Sequence, residues 1–211
     1  MTDRAPRLLP VATVTFAYLA AALGFAISRG NLEFLLYIVV MLVLIVVVWV
    51  VHMNVHLNEA VLWALCLWGF AHMAGGLVVV PEAWPTEAGS RVLYSLWIFP
   101  GRLKYDHIVH AYGFGTTTWV CWQGLRAAIS SRGAIPRPTP GLMVLSAGAG
   151  MGFGALNELV EFVATLLLPE TNVGGYLNTG WDLVANLTGA VVAVALISLL
   201  ERDSSGFEVD R

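Results

Sequence analysis

Residues 8–27 carry no charged side chain, and residues 32–51 carry one, Glu33, at the edge of the run. A hydrocarbon core about 30 Å thick is crossed by about 20 apolar residues in a helix. Runs of this kind leave little choice of solvent. The chain reads as an all-α, polytopic membrane helix bundle.

Composition agrees. Hydrophobic residues make up 58% of the 211 residues and charged residues only 12%, with a mean hydropathy of +0.75. A soluble domain carries about twice that charged fraction. The net charge is −3 and there is no basic block, which argues against nucleic acid and polybasic lipid-surface binding. Cys66 and Cys121 lie inside apolar runs and read as packing thiols, without a disulfide framework. Arg4 and Arg7 precede the first run. That run is longer than the 7–15 residues or so of a signal core, so it reads as an uncleaved first helix.

Six membrane helices fit, at about 8–27, 33–53, 60–80, 105–127, 141–168 and 180–200, within a single domain, 1–211. Pro81 and Pro85 follow the third, Pro136, Pro138 and Pro140 precede the fifth, and Pro169 ends it. With the N-terminus inside, Arg4, Arg7, Arg126, Arg132, Arg137, Arg202 and Arg211 fall on the inner side. Arg29, Arg91, Arg102 and Lys104 fall on the outer side. This bias places both termini in the cytoplasm of a cell's inner, or plasma, membrane. The longest loop, residues 81–104, contains "SRVLYSLWIF", which reads as an interfacial helix anchoring the loop at the membrane surface or closing over it as a lid.

Polar residues recur at one depth. Asp106, His107 and His110 sit in the first turns of the fourth helix, in "KYDHIVHAYGFG". Glu158 and Glu161 lie two to three turns from the end of the fifth, in "LNELVEF". Asp182 and Asn186 open the sixth, in "GWDLVANLTGA", and His72 lies near the outer end of the third. Residues three and four apart share a helix face. Asp106, His110, Gly113 and Thr117 form one stripe, Gly154, Glu158, Glu161 and Thr165 a second, and Asp182, Asn186 and Gly189 a third. Small residues beside polar ones let membrane helices approach closely, so these stripes are expected to face one another. Asn157 is expected to point elsewhere. Of the basic residues, Arg102 and Lys104 are placed only at the rim.

Several carboxylates in one low-dielectric place repel one another and cost about 2.5–3.5 kcal/mol each on insertion scales. Either protons neutralise some of them or a divalent cation binds them with the histidines. Carboxylate oxygen and imidazole nitrogen suit zinc, iron or manganese. The expected ligands are Asp106, His110, Glu158 and Asp182, with Glu161 as general base and His72, His107 and Asn186 as further candidates.

Plainer readings stand beside these. Asp106 sits where a helix dipole favours negative charge. Asp182 matches a capping box with Thr179. His72 alone fits a hydrogen-bonded packing residue. His52 and His56 have metal-ligand spacing but lie at the opposite end and read as interfacial. "GAGMGFG" reads as helix packing through Gly148/Gly152 and Gly150/Gly154.

"HMAGG" from His72, "YDHIVH" from Tyr105, "NELVEF" from Asn157 and "WDLVANLTGA" from Trp181 together resemble the YjdF-like bacterial membrane proteins, in order and spacing from His72 to Ala190. A looser likeness runs to VanZ-like proteins, through the "DHIVH" start, a buried glutamate and "WDLVAN". The chain departs from the pattern at Asn186, where a further acid would be expected, and at His107, where an arginine is usual. The resemblance implies a membrane protein. The VanZ likeness implies, by analogy, cell-envelope or lipid-linked substrates. Three functions remain open on the sequence: a metal-dependent membrane hydrolase or transferase acting on a lipid or lipid-linked group, a proton-coupled transporter, or a non-catalytic accessory protein.

Overall fold

A computed structural model describes residues 8–87, 90–169 and 171–206, with side chains described as far as Glu201. Arg4, Arg7, Arg211 and the side chain of Arg202 therefore lie outside the described residues. Six helices run in order: α1 (Leu8–Arg29), α2 (Leu32–Val55), α3 (Glu59–Leu77), α4 (Tyr105–Ser130), α5 (Pro140–Leu167) and α6 (Tyr176–Gly206).

Their limits are set by local chemistry. Gly30, at φ +63°, turns the chain out of α1, and the Asn31 side chain caps α2 by accepting from the Phe34 N–H at 3.0 Å. His56 ends α2 in the left-handed region, its N–H bonded to the His52 carbonyl at 2.8 Å. Asn58 caps α3 at 2.9 Å, and Thr139 with Pro140 opens α5. These are the residue types that satisfy the free N–H groups of a helix start. The sixth helix begins at Tyr176, earlier than the sequence reading. Thr179 is therefore inside the helix, and the capping-box account of Asp182 falls.

Five of the six helices, all but α4, are long and apolar enough to cross a membrane. Val39, Val43 and Val46 on α2, and Val144 and Leu145 on α5, are more than half exposed, as a surface bathed in lipid tails requires. The exception, α4, packs against α6, α5 and α3, with further contact to α2. Its polar side chains are covered by protein, which is why a helix of modest hydropathy can lie at membrane depth.

Packing is closest between α4 and α6. A Cβ on Gly115 would stand 3.0 Å from the Gly189 carbonyl oxygen, and one on Gly189 would overlap the Ala111 backbone. In "GAGMGFG" only one of the two small pairs is used. Gly150 receives Thr118 and Gly154 receives Asn186, whereas Gly148 and Gly152 have nothing within 4 Å and face outward. Two apolar clusters flank this seam. Ala22, Phe34, Met73 and Ala164 join α1, α2, α3 and α5 near the 78–104 loop. Trp122, Met143 and Ile197 join α4, α5 and α6 at the other end.

The 78–104 segment is not an interfacial helix. Its described residues form extended chain with bridges Val79↔Val92 and Thr86↔Leu96, a 3-10 turn at Leu93–Ser95, and a small antiparallel pair, β1 (Trp97–Phe99) and β2 (Leu103–Lys104), turned at Gly101 with φ +70°. β-branched and aromatic residues alternate here, and that pattern favours a strand over a helix. The segment anchors inward rather than outward. Tyr94 is half-buried, its ring packed against Gly75 of α3, and its hydroxyl hydrogen-bonds Nδ1 of His72.

Candidate metal centre

His110 stands at the middle of the polar stripes. One turn separates it from Asp106 on α4, and its Nε2 lies 3.6 Å from Asp106 Oδ1 and 4.0 Å from Glu161 Oε1. Its Nδ1 lies 3.1 Å from Asn186 Oδ1 on α6 and 3.6 Å from Glu158 Oε1 on α5. In the Nδ1–H tautomer His110 donates to the Asn186 amide oxygen, and the Nε2 lone pair is left free. Fixing the tautomer of a histidine through its other nitrogen is the usual second half of a metal–imidazole unit. Gly154 makes room for this arrangement: a Cβ there would meet Asn186 Nδ2 at 2.7 Å.

The acids around the ring fall into two overlapping triads. Asp106, His110 and Asp182 each offer a ligand atom within 4.8 Å of the others, and so do His110, Glu158 and Glu161. The four ligands expected from the sequence are thus brought to one place but share His110 between two groups, and Glu161 falls in the same group as Glu158. Asp182 and Asn186 are wholly buried. Both carboxylate oxygens of Glu158, and Oδ1 of Asp182, are buried without a hydrogen-bond donor. Asn157 does not turn away as expected. It lies one turn from Glu161 and donates to its Oε1 at 2.9 Å.

Two residues of the site escaped the sequence reading. Asn178 donates to Asp182 Oδ2 at 2.5 Å and reaches Asp106 Oδ2 at 3.5 Å, spanning α6 and α4. Extending the Asp182/Asn186 stripe back one turn would have found it, had α6 been started at Tyr176. Lys104 is the second. It is only 4% exposed, not a rim residue. Its ammonium bonds Asn178 and, at 2.9 Å, Glu87, and lies 3.9 Å from Asp106. Asp106 therefore has one basic neighbour, contrary to the expectation of none. No lysine or arginine comes within 4.0 Å of Glu158, Glu161 or Asp182 among the described residues, and Asn178 stands between Lys104 and Asp182.

The remaining candidates are placed apart. His107 receives the Lys104 backbone N–H at 3.3 Å, stacks obliquely on Trp181 and belongs to neither triad. His72 is packed among Tyr37, Trp68 and Tyr94 and is bonded to Tyr94. A cavity of about 30 Å³ lies between His72 and Glu161, with Tyr37 and Asn157 in its walls. Burial, followed by the nearby carboxylates Asp106 and Glu161, holds the Tyr94 phenol well above its ordinary value. At the opposite end, His52 and His56 meet edge to face with ring centres 6.4 Å apart. Glu33 is tied structurally. It accepts from the Asn172 backbone at 3.0 Å and side chain at 2.8 Å, joining α2 to the 169–175 connection.

Apolar spans, a shielded polar helix and acids converging on one imidazole define a polytopic integral membrane protein with an acid–histidine cluster that could hold a metal. Residues 10–203 match the family of predicted membrane proteins DUF2238, and the chain belongs to this YjdF-like family. The match carries that likeness and not the looser one to VanZ-like proteins. No curated protein and no solved structure matches the chain.

Proposed function

We propose that the cluster binds one divalent transition-metal ion inside the bilayer, held by Asp106, His110 Nε2 and Asp182 with Glu158 alongside, and that Glu161 serves as the base. The observation that carries this is the set of buried acid oxygens on Glu158 and Asp182 with no donor. An uncompensated buried charge is strongly destabilising, and a cation would satisfy several at once. Spacing supports the same reading. The His110 Nε2 contacts, 3.6 Å to Asp106 and 4.0 Å to Glu161, are too long for hydrogen bonds. They are close to the separation of about 3.0–3.4 Å between atoms bound to one ion at about 2.1 Å.

A metal here would polarise a phosphoryl or carbonyl oxygen, or lower the proton affinity of a water, which suits hydrolysis or transfer on a lipid or lipid-linked group. Asn157 orients one oxygen of Glu161 and so aims the other for proton transfer. Asn186 keeps His110 in one tautomer. Asn178 links Asp106 and Asp182 across α4 and α6. Arg126, Arg132 and Arg137 mark the cytoplasmic end of the bundle in a plasma membrane, so the cluster opens towards the outer half.

Elemental analysis of full-length protein, purified in detergent without chelator, tests this. Roughly one zinc, manganese or iron per chain is expected. Glu158→Gln and His110→Gln should each lose it, and Glu59→Gln, far from the site, should keep it. Metal-free protein that takes up no Zn²⁺ or Mn²⁺ on titration, yet passes protons in liposomes, would replace the metal reading with a proton relay.

A further inference from the structure

Between α1, α2 and α3 lies an apolar cavity of about 430 Å³, open along one side. Val11, Phe16, Ile45, Val48, Leu62 and Leu65 are among the apolar residues of its wall. It extends along α2 from Met41 to His52, eleven residues, or about 16 Å at 1.5 Å per residue. That is about half the thickness of a bilayer core. Its inner end does not stop at lipid. Met41, Leu44 and Trp68 line this cavity and also the small one that reaches His72, Asn157 and Glu161. Part of the partition is thus the unbranched, adaptable side chain of a methionine.

We propose that this cavity holds the hydrocarbon chain of a lipid whose polar end lies at Glu161 and the acid–histidine cluster. The identity of the polar end rests on the metal reading above; the occupancy of the cavity does not. Depth decides the occupant. Glu161 lies six residues from the end of α5, about 9 Å in, and His52 lies twenty residues along α2, about 30 Å from the same end. The path from one to the other is therefore about 20 Å. This exceeds one leaflet, so the chain is a long one that crosses the midplane. The walls of the larger cavity are mostly hydrocarbon, Tyr37, His72 and Asn157 follow in the small one, and the first acid met is Glu161. A lipid with its polar group at one end matches that order of surfaces.

The test uses full-length protein in phosphatidylethanolamine/phosphatidylglycerol vesicles containing a phospholipid with a diazirine near the end of its palmitoyl chain. Illumination should place adducts on the half-buried Ile45, Val48 and Leu65 in preference to the more exposed Val144 and Leu145. Leu65→Trp, which takes up the space of about two methylenes, should lower those adducts about tenfold while the metal content stays that of wild type. Unlabelled diacyl phospholipid or a polyprenyl phosphate should suppress those adducts by competition, and adducts that neither suppresses would overturn the proposal. Adducts spread evenly over α5 and α6, or cross-linked dimers with the cavity covered by a second chain, would overturn the proposal. Because the wild-type adduct map stands alone, a Leu65→Trp protein that fails to fold does not rescue it. Loss of metal with the adduct pattern intact would fail only the metal reading.

Discussion

Gly189→Ala tests whether the α4–α6 seam is what aligns the site. Glycine to alanine inside a helix ordinarily gains about 1 kcal/mol. Gly180 on the same helix has nothing within 4 Å of the place a methyl group would take, so Gly180→Ala should show that gain undiluted. At Gly189 the methyl would overlap the Ala111 carbonyl oxygen and stand 2.7 and 2.9 Å from its carbon atoms. Carbon atoms pack at about 3.5–4.0 Å, so the helices must part by about 1 Å. The obstruction is backbone, and no rotamer change relieves it. Overpacking of this kind costs about 1–3 kcal/mol, and the helix gain is common to both variants, so Gly189→Ala should be less stable than Gly180→Ala by about 1–3 kcal/mol. A shift of that size also stretches the 3.1 Å bond between His110 and Asn186 beyond hydrogen-bonding range. Unfolding in mixed micelles, monitored by tryptophan fluorescence, reads the first effect, and metal stoichiometry reads the second. Equal stability of the two alanine variants would refute the close approach of α4 and α6.

Asn178→Leu removes the donor to Asp182 and the acceptor for Lys104, and should cost about 1–3 kcal/mol in the same unfolding assay. Tyr94→Phe removes the bond to His72; solvent accessibility of the 78–104 segment should rise in hydrogen exchange, with the bundle unchanged. Because folding raises the Tyr94 phenol above its ordinary 10.0, its contribution is complete below that value. It is lost as pH rises through the higher folded value, so wild type should weaken in alkali more steeply than Tyr94→Phe. Lys104→Met removes the one cation beside Asp106 and should tighten Zn²⁺ binding, measured by competition with a chromophoric chelator.

Most of the helical pattern is legible in the sequence because length and apolar continuity are nearly sufficient in a bilayer. The stripes through Asp106/His110, Glu158/Glu161 and Asp182/Asn186 are legible through helical spacing alone. What spacing does not give is contact between distant residues. Lys104 lies just before α4, and nothing local says that Glu87 and Asn178 will draw its ammonium inward. Tyr94 is hidden for the same reason, since its partner His72 is 22 residues away. The 78–104 loop misleads because its aromatics suit an interfacial helix as well as a short strand, and pairing of Trp97 with Lys104 decides between them. The start of α6 misleads because "TGWD" imitates a cap.

The fourth helix has a consequence for biogenesis. It is the segment least able to partition into lipid as it leaves the translocon, yet it becomes the hub of the finished bundle. Its insertion is expected to depend on α5 and α6, which supply the protein surface that shields Asp106 and His110 from hydrocarbon. Truncation after α4 should leave that segment stranded at the interface, so the polar cluster and the integration of the second half of the chain stand or fall together.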